Sequence, residues 1–220
     1  MRRIGFFTAG IVLVVLVVLV IPQLVLPGIA AGRLRHQLER SGRVLSVEVD
    51  AFPAIELLWH HADRVVIRMA SYRSSARTLA RTLGQLTDTG SLVATATRLV
   101  DGLLTLHDAR LNKRGRQLTA SGAVTEADLR SAFPVLDGVE PVDSSGGSVT
   151  LQGTATVFGV TATVDATVRA VNGALVVAPD VPFGGLATIT LFSSPKIAVQ
   201  AVGARSAPGG FVVSAQGRVR

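Results

Sequence analysis

Histidine and aspartate come together once in this chain, at His60-His61-x-Asp63, and metal or acid-base chemistry would have to start there. Adjacent histidines suit a shared ion poorly: in an extended segment they point to opposite sides, and on a helix they sit about 100° apart. The motif therefore reads as a solvated turn ahead of a strand, with no metal and no cofactor expected. The 15 carboxylates occur singly, with no close pair that would raise one pKa for general acid work. Ser144-Ser145-Gly146-Gly147-Ser148 resembles a nucleophile loop but lacks the strand-Gly-x-Ser-x-Gly-helix setting that exposes a catalytic serine, so it reads as a flexible connection. Cysteine is absent, which removes thiol catalysis, zinc-thiolate sites, iron-sulfur clusters and disulfides together. An enzyme would have to rely on His60, His61 or His107. Nothing in the sequence supports that, and the chain reads as a non-enzyme.

What remains is binding. The net charge is +7, and of 22 cationic side chains only Lys113 and Lys196 are lysines. The arginines run along the whole chain with almost no aromatic residues among them, whereas a nucleic-acid surface clusters its cations and interleaves rings for stacking. Nucleic acid is therefore not an expected partner. Dispersed arginine suits weak attraction to anionic lipid headgroups when a membrane is near. Hydrophobic residues make up 48% of the chain but aromatics only 5%, so the interior is lined mainly by Val, Ala and Leu. A sheet with one such face and few helices to cover it leaves room for an apolar ligand. Each CH₂ withdrawn from water contributes ~0.8 kcal/mol, so a diacyl lipid needs a long groove to compete with the bilayer. The candidate lining is Phe52, Ile55, Leu58, Trp59, Phe133, Leu136, Phe158, Phe183 and Phe192, with Trp59 or a nearby Phe at the mouth. Taken singly, each of these residues reads more readily as core or rim, and alternation alone does not separate a core from a groove. The rival to a lipid-binding domain is a scaffolding envelope protein with a filled core and no lipid ligand.

The elements that must position these residues begin with Arg2 and Arg3, followed by an uncharged stretch from Ile4 to Leu26. About 20 such residues cross a hydrocarbon core of ~30 Å, so residues 1–27 read as a transmembrane helix with its N-terminus inside. The other reading is a signal sequence cleaved near Gly28-Ile29-Ala30. Both place a single domain, residues 28–220, on the extracytoplasmic side. Ile29, Leu34 and Leu38 mark a short amphipathic helix to Arg40, and Leu45, Val47, Val49 and Ala51 alternate as a strand. Pro53 to Trp59 suits one or two helical turns, and Val65, Ile67 and Met69 form a second strand opposite Arg64 and Arg68. From Ser74 to about Val100 the spacing becomes helical, first through Ala76, Leu79, Ala80, Leu83 and Leu86, then through Leu92, Ala96, Leu99 and Val100, which predicts a helical insertion. Strands then return around a turn at Lys113-Arg114-Gly115. Thr125-Glu126-Ala127-Asp128 opens a short helix with a hydroxyl cap and early carboxylates. The rest is strand, with turns at Phe158-Gly159, Asn172-Gly173 and Pro208-Gly209-Gly210. Eight to ten strands with few helices predict an α+β class built on a mainly antiparallel sheet.

Three stretches resemble the LmeA-like phospholipid-binding family of actinobacterial envelope proteins. The first is the apolar N-terminus, the helix and then strand-Phe52-Pro53-x-Ile55-x-Leu57-Leu58-Trp59, leading to the strand Arg64 to Met69. The second is Gly122-x-Val124-x-x-Ala127-Asp128-Leu129-x-x-Ala132-Phe133-Pro134. The third is Pro195-x-Ile197-x-Val199-x-x-Val202 followed by Gly209-Gly210-Phe211-x-Val213. The resemblance covers most of the chain after residue 28 and departs from the family pattern in the insertion from Ser74 to Val100. It implies a curved antiparallel sheet wrapped about helix, related to tubular lipid-binding folds. It also implies an envelope protein that binds phospholipid, phosphatidylinositol included, with a role in lipid or lipoglycan maturation or transfer.

Overall fold

Alternating aliphatic residues carry most of this chain into strands. The computed structural model describes residues 26–52, 62–75, 78, 81, 84, 88–101, 104–132, 134, 137–157, 160–180 and 188–220. A helix, α1, covers residues 26–39. Five strands follow: β1 (Gly42–Asp50), β2 (Arg64–Ser74), β3 (Ser91–Asp101), β4 (Leu104–Arg114) and β5 (Gln117–Thr125). A short helix, α2 (Glu126–Ala132), precedes β6 (Gly138–Ser145), β7 (Ser148–Val157), β8 (Val160–Val171), β9 (Ala174–Pro179) and β10 (Ile189–Phe192). The chain ends with β11 (Ile197–Ala207) and β12 (Gly210–Val219).

The strands form a seven-stranded sheet in the order β1-β2-β3-β4-β5-β12-β11 and a five-stranded sheet in the order β10-β9-β8-β7-β6. The five-stranded sheet is thus inserted between β5 and the two strands that complete the larger one. Neighbours pair antiparallel except β2 and β3, which run parallel. A parallel pair needs a crossover, and Thr78, Arg81 and Gly84 in that connection are helical. Lys196 Nζ donates to Gly84 O at 3.0 Å, so the crossover reaches the start of β11 at the opposite edge of the sheet.

The α+β expectation gives way to a mainly β protein: among the described residues 68% are strand, with two short helices. The larger part of the difference is β3. Leu92 and Ala96 are four residues apart, which places them on one face of a helix and equally on one face of a strand. Pairing with β2 and β4 along the whole of β3 decides for strand, and in the expected helical insertion the described helical residues are Thr78, Arg81 and Gly84. The expected transmembrane helix lies outside the described residues, as do the helical turns from Pro53 to Trp59. Among the described residues no helix is long and apolar enough to cross a membrane.

The main core lies between α1 and the inner face of the seven-stranded sheet, where Leu38 joins Val49, Val65, Ile67, Met69 and Leu92, with Leu34 packed against them. Leu45, expected inward, is 55% exposed, because a bulge between Val44 and Ser46 turns the strand and gives its inward place to Val44. A second cluster of Val124, Leu129 and Phe211, with Val139 and Leu151 against it, joins the two sheets beneath α2.

The five-stranded sheet also closes the far edge of the larger one. Two of its hairpin turns abut β11: Val202 N donates to Gly147 O and Val199 N to Gly173 O, both at 2.9 Å. Gly147 (φ 78°) and Gly173 (φ 82°) hold left-handed turns, and a Cβ on either would meet Ala201 or Ala198 of β11 at 3.1 Å. Only glycine satisfies both the turn and the close approach.

Candidate functional site

Of the nine residues read as a groove lining, two are described. Phe52 follows β1, is 76% exposed, and donates its amide to Asp63 Oδ2 at 2.7 Å. Phe192 ends β10 and packs half-buried on Leu118, Ile197 and Val219. The two share no packing cluster. Ile55, Leu58, Trp59, Phe133, Leu136, Phe158 and Phe183 lie outside the described residues.

The larger apolar surface is one that aromatic residues do not mark. In the five-stranded sheet the registers align Ile189, Val177, Val168 and Val149 in one row, Ala166 with Leu151 in the next, and then Val164 with Gly153 and Ala162 with Ala155. Side chains two residues apart share a face, so these rows form one aliphatic face across four strands. It is buried at Val149 on β7, which is 4% exposed, and open at Ile189 on the edge strand β10 and at Val164 further along β8, which are 61% and 44% exposed. The reverse face carries Thr163, Thr167 and the pair Gln152 Nε2 to Asp165 Oδ1 at 3.1 Å. The sequence signal for this face was the alternation from Val149 to Val168. Which stretch of it stays open depends on what packs above, and alternation carries no such information.

The hydrophilic candidates have structural duties. Asp63 of the His60-His61-x-Asp63 motif caps the Phe52 amide, while both histidines lie outside the described residues. Ser144 to Ser148, expected as a flexible connection, is a tight hairpin: Gly146 and Gly147 both have positive φ, and Ser144 Oγ accepts from Ala204 N at 2.9 Å. His107 Nε2 lies 2.7 Å from Asp128 Oδ2, and Thr125 Oγ1 donates to the same carboxylate oxygen while accepting from Asp128 N. The Thr125 hydrogen bond, with His107 and the positive charge of Arg98, holds the Asp128 carboxyl below its usual pKa against a smaller opposing effect of burial. This is a helix cap with a histidine attached. A catalytic triad places the imidazole between hydroxyl and carboxylate, whereas here the carboxylate sits between them, so the histidine cannot take the threonine proton.

Lys113, expected in the turn with Arg114 and Gly115, lies in β4 instead, 3% exposed on the inner face, and donates to Thr89 O. Burial lowers its pKa, and Asp88 partly opposes the shift. Burial raises that of Asp101 at the end of β3.

No protein-family model, curated protein or solved structure matches the chain. The likeness to the LmeA-like family therefore stands on the quoted residues alone.

Proposed function

We propose that this protein binds phospholipid at the outer side of a membrane of the cell envelope, laying acyl chains along the aliphatic face of the five-stranded sheet. The observation that carries the reading is the exposure of that face: Val164 exposes 44% of its surface beside Gly153, Ala162 and Ala166, and Ile189 exposes 61% on the edge strand β10. Large aliphatic side chains left in water invite an apolar ligand, and small neighbours leave it space. The apolar run from Ile4 to Leu26 keeps the domain beside its lipid source. Phosphatidylinositol and a part in lipid or lipoglycan maturation follow from the resemblance.

The test is acyl-chain photocrosslinking of the full chain in phospholipid nanodiscs, with the labelled peptides mapped by mass spectrometry. Crosslinks on β7 to β10 are expected, and V164E together with I189E should abolish them while leaving those on residues 1–26. Crosslinks confined to the N-terminal run would replace the lipid site with the scaffold reading.

A further inference from the structure

The registers gather five arginines of the seven-stranded sheet on its outer face. Arg64, Ser91, Arg114, Gln117 and Arg218 lie directly opposite one another across β2, β3, β4, β5 and β12. Four residues along β2, a second row sets Arg68 and Arg110 on either side of Thr95. All five arginines are exposed. Between the two rows these five strands carry no Asp or Glu, and Glu48 and Asp50 stand only on the edge strand β1. Arg68 makes an exposed ion pair with Glu48 at 3.3 Å. Among the described residues Arg64, Arg110, Arg114 and Arg218 have no ion pair. The second row borders an open hollow of about 410 Å³ edged by Leu45, Val93 and Asn112, with Asp108 at its rim. The bulge in β1 exposes Leu45 beside it.

We infer that this face docks on the anionic headgroups of a lipid bilayer, with phosphates seated between neighbouring arginines. The inference rests on the membrane location of the proposed function and names a second, separate contact. Charge complementarity argues for it: headgroup phosphates form a two-dimensional array, and the face offers guanidinium groups on alternate strands, roughly 10 Å apart. Chain continuity argues for the same partner. The apolar run to Leu26 passes into α1, whose Leu34 and Leu38 pack on the opposite, inner face of the sheet, so the sheet is tethered within about 20 Å of where that run ends. A nucleic acid would ask for exposed rings to stack on, and these rows hold none.

The chain has no cysteine, so one introduced thiol reports one position. A spin label at Gln117→Cys, within the first row, is compared with one at Thr163→Cys on the threonine face of the other sheet. Both are read by collision with a water-soluble nickel chelate, using the full chain in nanodiscs of phosphatidylcholine alone or mixed with phosphatidylglycerol. Protection of the Gln117 label in the mixed discs only, reversed by high salt, is expected. Replacing Arg64, Arg114 and Arg218 together by Gln should remove it, and replacing all three by Lys should keep it. Each arginine near the surface is worth roughly a fivefold change in the docked-to-undocked ratio. Circular dichroism identifies a triple variant that fails to fold, and the salt reversal then decides the matter on the unsubstituted arginines. Equal access at Gln117 in both kinds of disc, or protection that survives the Gln substitutions, would overturn the docking face. So would equal protection at Thr163. The acyl-chain crosslinks on β7 to β10 are read separately, so either contact can fail while the other stands.

Discussion

The two sheets are built from nearly the same side chains and use them differently. In the larger sheet, Val65 and Leu92 retain 2% and 1% of their exposure, because α1 packs over them. In the smaller, only Val149 and Val176 are buried hydrophobic residues among those described, and Val164 stands in the open on an equally regular strand. Alternation therefore decides which residues share a face. A covering element decides whether that face is a core or a binding surface.

The contrast can be broken most severely at Leu92. Leu92→Ala should cost about 2–5 kcal/mol, whereas Val164→Ala should stay within about 0.5 kcal/mol, both measured by urea unfolding. Equal losses would mean that the smaller sheet is packed as tightly as the larger. A middle-sized effect is expected at the join. Gly173→Ala forces a side chain into a left-handed turn and against Ala198, at about 1–3 kcal/mol. Amide exchange at Val199 should accelerate with it, since that N–H donates to Gly173 O. Unchanged exchange would show that the hairpin does not hold the edge.

The smallest effect lies at α2, where the sheets meet. Thr125→Ala should cost about 1 kcal/mol as a lost cap. Because the folded Asp128 pKa is held below the ordinary aspartate value, its stabilising contribution is fully present above that value and is lost as the pH falls through the folded pKa. Asp128→Asn should therefore flatten the acid limb of a stability-against-pH curve. An unaltered limb would assign acid sensitivity to other carboxylates.

Several of these features were legible in the residues themselves. Asn172-Gly173 announced a hairpin, Thr125 a helix cap, and Val65, Ile67 and Met69 an inward face, because each depends on local backbone chemistry. The strand β3 was not legible, since the positions Leu92 and Ala96 satisfy both periods and only pairing partners separate them. Leu45 was misplaced because a bulge shifts a strand by one residue without any mark in its composition. Lys113 and the arginine rows belong to the same class. Arg64 and Arg68 were seen on one side of a strand, but their alignment with Arg114, Arg110 and Arg218 exists only after five strands have found their register.

The insertion of the smaller sheet within the larger also imposes an order of assembly. During synthesis β5 emerges early, yet its partner β12 is made last, after every strand of the other sheet. Until then β5 presents an unpaired edge, while the local hairpins β6 to β9 can already close. Contacts distant in sequence form slowly, because a long loop must be closed before they return any stabilisation. Completion of the seven-stranded sheet is thus the late step of folding, and the nascent chain passes through a stage in which a nearly finished sheet waits, open at one side, for its C-terminal hairpin.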